Sequence, residues 1–415
     1  MERKQIVDPK SYKQFAGASW PTYEEFIAGV EPNDPIINQE LNEFIDVMRT
    51  RYNNLRLDDG TKLAQENQLR QGQIFYAKRV AGLGCRVPWE TMGINSNGEV
   101  FVCHSPTWVP KFVGNIREAT DMYSILNSDI AQDIRREIAN NRYYYCNNTL
   151  CSFFANKDPQ SYAVNTQDTE PSPRTYTENL LVTEIPKNLI FDFDYTCNFK
   201  CPSCRTELIN WNDHHLIRPI NNQIADKIKH LVIDQIGDQP ITIRWAGGEP
   251  FISEVYLDIF SYIIQTGKLN IQNVIQTNGS YLRSKVVTGL LPYISELRIS
   301  FDAGTAETYA KTRVNGNWHK LLENVRYIKE QIEEVHSNTR LTADFVVQAD
   351  NYHEIPEFVR ICNELGINNI NLQKMWNWGT WSAEEFARKN IYNSEHPDYE
   401  KLKQAFADAG QQILN

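Results

Sequence analysis

From residue 188 onward, short apolar runs alternate with longer segments in which apolar residues recur at helical spacing. The apolar runs predict strands at Leu189–Phe193, Ile241–Trp245, Asn273–Gln276, Glu296–Phe301, Leu341–Gln348 and Asn369–Gln373. The intervening segments predict helices at Asn221–Ile236, Ser253–Thr266, Gly316–Val335 and Ile355–Leu365. Such β-α repeats predict an α/β fold with a parallel sheet and right-handed crossovers. The pattern alone does not separate a partial (β/α)6 barrel from an open doubly wound sheet.

The rest of the chain predicts smaller regions around this sheet. Residues 1–80 read as a polar helical region, residues 156–187 as a linker rich in Thr, Ser, Pro, Asn and Asp, and residues 383–415 as a helical tail. A net charge of −10 argues against a nucleic acid or an anionic membrane as the main partner. No apolar run reaches membrane-spanning length, and the N-terminus lacks a signal-peptide core. We therefore expect a cytoplasmic protein.

Three of the eight cysteines follow the first predicted strand closely, as Cys197, Cys201 and Cys204. Eight cysteines in a reducing compartment indicate metal ligation more than disulfides. Three thiolates on one loop suit three irons of a [4Fe–4S] cluster, and they leave the fourth iron open to a small chelating ligand. Cys362 lies in a helical pattern and is interpreted as a buried core thiol.

The C-x3-C-x2-C spacing resembles that of the radical S-adenosylmethionine (SAM) superfamily. The resemblance implies a partial (β/α)6 TIM-like barrel at residues 188–382, with Cys197, Cys201 and Cys204 as catalytic and iron-binding residues. It also implies that SAM chelates the open iron through its amino and carboxylate groups. The reduced cluster then splits SAM to a 5′-deoxyadenosyl radical, which abstracts hydrogen from a substrate.

The resemblance extends to residues after later strands. Gly247, Gly248 and Glu249 look like the family's GGE motif, in which the acid and adjacent backbone receive the SAM ammonium. The two glycines let the backbone approach a ligand closely. Ser300 and Asp302, at the end of the fourth predicted strand, match the family's polar groups that reach the ribose and carboxylate of SAM.

Three further residues are candidates for SAM binding. Arg313 is similar to the family's arginine that pairs with the SAM carboxylate, and the alternative is a solvated arginine at a helix end. Asn278 follows the third predicted strand and is expected near the cavity. Gln348, on the fifth predicted strand, is expected to flank the adenine.

A second cysteine group lies at residues 81–155 and consists of Cys85, Cys103, Cys146 and Cys151. Ser96-Asn97-Gly98 between apolar residues predicts a hairpin turn. Four thiolates suit either a tetrahedral zinc ion or an iron–sulfur cluster. The segment resembles the SPASM and twitch domains of radical SAM enzymes, which implies one auxiliary [4Fe–4S] cluster and two clusters in the whole chain. Such modules normally follow the barrel, whereas this one precedes it.

These resemblances imply an enzyme that matures a ribosomally made peptide by crosslinking, epimerisation, oxidation or backbone cleavage. One alternative is a small-molecule substrate such as an amino-sugar or a cofactor precursor. Another is a non-catalytic iron–sulfur or zinc scaffold. The expected partners are a peptide or protein substrate and an electron donor such as flavodoxin or ferredoxin, with no nucleic acid and no membrane. The oligomeric state is left open.

Overall fold

The structure is a computed structural model that describes residues 85–106, 108–139, 145–146, 151, 180–378 and 380–411. The predicted helical region 1–80 and most of the predicted linker, residues 156–179, lie outside the described residues. The chain divides into two compact units. The larger one contains residues from Lys187 on, together with Ile94–Gly98, and the smaller one contains Glu99–Pro186 and the residues just before Ile94.

The N-terminal part of the described chain is built from short elements. They are helix α1 (Val87–Glu90), strands β1 (Thr91–Asn95), β2 (Glu99–Phe101) and β3 (Gly114–Asn115), and helices α2 (Met122–Leu126) and α3 (Asp129–Ala139). Strands β2 and β3 pair antiparallel. The predicted turn is present, since Gly98 has a φ of 78° and its N–H donates to the Asn95 carbonyl over 2.9 Å. A positive φ is the conformation that favours glycine at this position.

The larger unit alternates strands and helices. Its strands are β4 (Asn188–Asp192), β5 (Ile241–Trp245), β6 (Ile271–Thr277), β7 (Ile294–Ser300), β8 (Arg340–Val347) and β9 (Asn369–Lys374). Its helices are α4 (Ile217–Ile228), α5 (Glu254–Thr266), α6 (Lys285–Leu290), α7 (Ala306–Thr312), α8 (Trp318–Glu334), α9 (Ile355–Leu365), α10 (Ala383–Lys389) and α11 (Tyr399–Asp408).

The order of these strands decides the architecture. Strands β4 to β9 lie side by side in chain order, and each neighbouring pair is parallel. A doubly wound sheet reverses its strand order at a switch point, which places helices on both faces. Without a reversal, right-handed crossovers place the helices on one face only. The predicted partial barrel is therefore confirmed over the doubly wound alternative.

The alternation along each strand separates a dry face from a polar one. Phe191, Ile243, Ile299 and Phe345 are fully buried on the face toward the helices. Aromatic contacts fill this layer, and the Phe345 and Phe358 rings lie 4.7 Å apart. The opposite face, which lines the barrel interior, is more polar and carries Gln276, Arg298, Ser300 and Asp344 on neighbouring strands. The apolar face holds the sheet to its helices and leaves the interior for polar chemistry.

Several predicted bounds differ from the structure. The helix predicted at Asn221–Ile236 begins at Ile217, and a π-helical segment, Lys229–Ile233, follows its end. Pro219 is tolerated there because the first turn of a helix has no intrahelical partners for its N–H groups. Helices α6 and α7 were not predicted, since each spans less than two full turns. Among the described residues, no helix is long and apolar enough to cross a membrane.

Candidate functional site

The loop that carries three cysteines leaves strand β4 at Asp192 and is anchored by Tyr256 of α5. The buried Tyr256 hydroxyl accepts the N–H groups of Phe193 (2.9 Å) and Asp194 (3.1 Å). It donates to the Ala246 carbonyl oxygen at 3.0 Å. One hydroxyl therefore joins the loop after β4 to the loop after β5.

Asp194 organises the start of the cysteine loop. Its carboxylate accepts the N–H and the hydroxyl of Thr196, at 2.9 and 2.8 Å, and the Ser253 hydroxyl at 2.5 Å. Just beyond, the Cys197 N–H donates to the Ile209 carbonyl over 2.8 Å. These contacts fix the first cysteine relative to the strand ends, where α/β folds place their chemistry.

The three thiols of this loop lie close enough to affect one another electrostatically. The charge of Cys201 raises the pKa of Cys197, and that of Cys204 raises the pKa of Cys201. Burial is the larger cause in both, and it raises the pKa of Cys197 to about 11. Such thiols become thiolates only beside positive charge, which a metal centre or a guanidinium supplies.

Arg205 supplies positive charge at this loop and is not among the residues predicted from the sequence. Its side chain is buried, with Nη1 donating to the Tyr195 carbonyl at 2.7 Å and Nη2 to the Gly247 carbonyl at 2.9 Å. Nη2 also lies 3.5 Å from the Cys204 sulfur. Burial alone would lower the Arg205 pKa, but the charges of Cys204 and then Cys197 raise it above its ordinary value. An arginine directly after a candidate ligand was the available signal.

The glycine pair after β5 is required by a close backbone approach. A Cβ on Gly248 would lie 2.1 Å from the Thr196 carbonyl oxygen. The Gly248 and Glu249 N–H groups donate to the carbonyls of Asp194 (2.9 Å) and Thr196 (2.8 Å). Gly247 has a φ of 93°. The sequence predicted an approach to a ligand, and the structure shows an approach to the cysteine loop itself.

Glu249 is buried and binds the end of strand β6. Its carboxylate accepts the Thr277 hydroxyl (2.7 Å), the Asn278 N–H (2.6 Å) and the Phe251 N–H (3.4 Å). Burial raises the pKa of Glu249 to about 7, and these hydrogen bonds oppose the rise. The carboxylate thus joins two strand ends, and its binding of the SAM ammonium stays a prediction.

Asp302 and Arg313 form a buried ion pair beside the cysteine loop. Arg313 Nη2 lies 2.9 Å from Asp302 Oδ2, and Nη1 lies 3.5 Å from the Cys201 sulfur. Asp302 has a φ of 54°, and its Oδ1 accepts the Val346 N–H at 2.6 Å. The Nε of Arg313 is buried and has no hydrogen-bond partner within the described part of the chain. The alternative interpretation of Arg313 as a solvated residue is wrong.

Asn278 also reaches the cysteine loop. Its Nδ2 donates to Asn198 Oδ1 at 2.9 Å and lies 3.9 Å from the Cys197 sulfur. Its backbone N–H is the one that Glu249 accepts. The predicted residues Glu249, Asn278 and Cys197 are therefore brought together by the fold.

Ser300 and Gln348 lie at the same strand ends but contact other groups. The Ser300 hydroxyl accepts Gln276 Nε2 at 3.0 Å. The Gln348 N–H donates to Asn351 Oδ1 at 2.8 Å, and the Asn351 amide donates to the Asp302 carbonyl at 3.0 Å. The structure thus connects Gln348 to Asp302 through Asn351. The binding of SAM by these residues stays a prediction.

A polar network in the barrel interior was not predicted from the sequence. The buried carboxylate of Asp344 accepts Gln276 Nε2 (2.9 Å), Asn371 Nδ2 (2.7 Å) and Gln373 Nε2 (3.0 Å). It also pairs with Arg298 through Nε (3.1 Å) and Nη2 (2.5 Å). Polar residues at every second strand position were the available signal. The network gives the interior a fixed polar wall next to Ser300.

The four N-terminal cysteines lie near one another. The charge of Cys151 raises the pKa of Cys85, Cys103 and Cys146, although burial is the larger cause in each. The pKa of Cys85 reaches about 12. A zinc site needs four ligands at about 2.3 Å from one ion. Within the described ranges, no group of three or more His, Cys, Asp or Glu side chains is arranged to hold a metal ion, and this applies to both cysteine groups.

A partial parallel barrel with three thiols on the loop after its first strand defines a domain built to bind an iron–sulfur cluster. Residues 193–372 match the radical SAM superfamily, and residues 85–152 match the SPASM iron–sulfur cluster-binding domain. The chain therefore contains a radical SAM domain, with a SPASM domain N-terminal to it. The cofactors of the radical SAM domain are SAM and a [4Fe–4S] cluster, and those of the SPASM domain are auxiliary iron–sulfur clusters.

Individual relatives are distant. A probable GTP 3′,8-cyclase of Saccharolobus islandicus (strain L.S.2.15 / Lassen #1) is 24% identical over 186 residues, which are 45% of this chain and 56% of that protein. The chain thus spans little more than half the length of the curated relatives it matches. SAM-bound SuiB of Streptococcus suis is 16% identical, with a TM-score of 0.37 over 76% of this chain and 68% of that one. TYW1 with a lysine–pyruvate adduct is 16% identical, with a TM-score of 0.34 over 53% of this chain and 72% of that one.

The chemistry of the residues at the cysteine loop fits the cluster that the family binds. Soft thiolates at Cys197, Cys201 and Cys204 suit iron, and the buried guanidinium of Arg205 needs negative charge from their side. The buried Nε of Arg313 is a donor in need of an acceptor, which a carboxylate provides. Both features are explained by an anionic cluster with a carboxylate-bearing ligand.

Proposed function

We propose that the chain is a radical SAM enzyme that cleaves SAM reductively and uses the 5′-deoxyadenosyl radical to abstract hydrogen from a substrate. The observation that carries the proposal is the cysteine loop, in which three thiols lie beside the buried guanidinium of Arg205 at the carboxyl end of a parallel sheet. When bound, the cluster supplies the electron for SAM cleavage.

The protein's own residues have binding and positioning roles in this proposal. Cys197, Cys201 and Cys204 hold three irons. Arg313, fixed by Asp302, offers its free Nε to the SAM carboxylate. This assignment rests on the general rule that a buried polar group is paired in the working state of a protein.

Three parts of the strand ends complete the proposed SAM pocket. Glu249 and the backbone of Gly247–Gly248 receive the ammonium, and Asn278 lies beside them against Cys197. Ser300 is positioned by Gln276 for the ribose. Gln348 flanks the adenine, and its backbone is held through Asn351.

We infer that the substrate is a ribosomally made peptide that is crosslinked, epimerised, oxidised or cleaved. The support is the SPASM domain, which accompanies enzymes of this kind. A low-potential donor such as flavodoxin or ferredoxin reduces the enzyme in the cytoplasm, a compartment that suits its eight cysteines.

A small polar molecule is the second candidate substrate. One relative is named as a probable GTP 3′,8-cyclase, and GTP is a small polar molecule. The polar wall around Asp344 favours a ligand with several hydrogen-bonding groups over an apolar one.

The test is anaerobic reconstitution of the full chain with iron and sulfide, followed by reduction with dithionite and measurement of 5′-deoxyadenosine. Wild type and Cys362→Ala should form it, and Cys201→Ala should not. Cys362 is the matched control, because it is also a buried thiol but lies on α9. Mass spectrometry of peptides encoded beside the gene tests the substrate. Equal 5′-deoxyadenosine from both variants would refute the proposal.

A further inference from the structure

Arg205 is fixed at three points around the cysteine loop. One nitrogen of its guanidinium donates to the Tyr195 carbonyl before the first cysteine, and the other donates to the Gly247 carbonyl of the glycine pair. The latter nitrogen also contacts the Cys204 sulfur at 3.5 Å. Only 5% of the residue is exposed to solvent. The positive charge of the Arg205 guanidinium therefore has a fixed position in the protein interior.

The charge of Arg205 is balanced from the sulfur side. Within the described ranges, its guanidinium hydrogen-bonds two carbonyls and one sulfur and forms no salt bridge with a carboxylate. The charges of Cys204, Cys197 and Cys201 raise the pKa of Arg205, and the charge of Arg205 in turn opposes the rise that burial causes in the pKa of Asp192. Arg313, in contrast, is already paired with Asp302.

We propose that Arg205 is a positioning residue that sets the reduction potential of the SAM-binding cluster by holding a positive charge and a hydrogen-bond donor at the Cys204 sulfur. The inference rests on the proposed function, since it needs a cluster on this loop. One-electron reduction by dithionite or a ferredoxin adds one negative charge to the cluster. A nearby cation stabilises that charge, and hydrogen bonds to sulfur and net charge set cluster potentials.

The experiment is a redox titration of the reconstituted full-length protein, followed by electron paramagnetic resonance. The SAM-binding cluster is identified as the one whose signal changes when SAM is added. In Arg205→Gln the ratio of reduced to oxidised cluster at a fixed potential should fall about tenfold, which corresponds to about 59 mV for one electron. Arg205→Lys, which keeps the charge, should titrate close to wild type.

Arg283→Gln is the matched control, because it removes the same charge from an exposed site in the same unit. Its potential should equal that of wild type. Equal potentials in wild type and Arg205→Gln would overturn the proposal, as would equal shifts in the Gln and Lys variants. If Arg205→Gln retains no cluster, Arg205→Lys decides: a wild-type potential supports the role, and loss of its cluster shows a folding role instead. A wild-type protein without any SAM-responsive signal would refute the proposed function itself.

Discussion

Replacing Gly248 with alanine tests whether the glycine pair and the cysteine loop are one structural unit. The added Cβ would lie 2.1 Å from the Thr196 carbonyl oxygen, where ordinary van der Waals contact begins at 3.4 Å. The carbonyl would have to retreat by more than an ångström. Because Thr196 immediately precedes Cys197, the loop that positions the first thiol would move with it.

The magnitude follows from the contacts that such a shift breaks. Two backbone hydrogen bonds hold the segments together, from Gly248 to Asp194 and from Glu249 to Thr196. Each contributes about 1 kcal/mol, and overpacking a close contact costs about 1–3 kcal/mol. We therefore expect Gly248→Ala to lower the free energy of unfolding by about 3–5 kcal/mol. Iron uptake at the cysteine loop should fall as well.

The assay is urea unfolding of the iron-free protein by circular dichroism, together with iron content after reconstitution. Gly289→Ala is the control, since Gly289 lies in helix α6 with no atom within 4 Å of the added Cβ. It should leave iron uptake unchanged and raise stability by about 0.5–1 kcal/mol, because alanine is the better helix former. Wild-type stability and iron content in Gly248→Ala would refute the reasoning.

Three other predictions follow from the two cysteine groups and the buried glutamate. A triple Cys197/Cys201/Cys204→Ala variant should keep about four of about eight irons per chain, because only one of two cubane clusters loses its ligands. Glu249→Gln should remove a pH dependence: the pKa of Glu249 is raised from 4.5 to about 7, so the wild type loses stability as pH rises between these values. Between pH 4 and pH 7, the free energy of unfolding of the variant should therefore rise by roughly 3 kcal/mol relative to that of the wild type. Cys146→Ala should still form 5′-deoxyadenosine, because SAM binding needs only the barrel cluster. It should form no product, because the auxiliary cluster has a role in turnover.

Each of these has a measurement and a contradicting result. Iron analysis tests the triple variant, with Cys362→Ala keeping all its iron, and retention of all or none would contradict the two-site assignment. Urea midpoints from pH 4 to 8 test Glu249→Gln. If the midpoints of variant and wild type change with pH in parallel, the pKa of Glu249 is not raised in the folded protein. Product and 5′-deoxyadenosine yields on one folded preparation test Cys146→Ala, and normal product would contradict a role for the auxiliary cluster in turnover.

Much of the radical SAM domain followed from sequence pattern. The predicted strand Ile241–Trp245 and helix Ile355–Leu365 have the observed bounds, because alternating or helical apolar spacing is a local property. The helix predicted at Asn221–Ile236 was shifted, since its start depends on how Pro219 is accommodated. The three-cysteine loop was visible because its ligands are neighbours in the chain.

The sequence by itself determined the β-α repeat, the cysteine loop and the glycine-acid motif, since each is written in adjacent residues. Only the tertiary structure decided that the strands keep their chain order, that Gly248 packs on Thr196, and that Arg205 contacts the Cys204 sulfur. It also decided that Asp344 gathers donors from three other strands. The physical reason is that burial and long-range hydrogen bonds assign partners, and a residue's partners across a sheet lie far away in the chain.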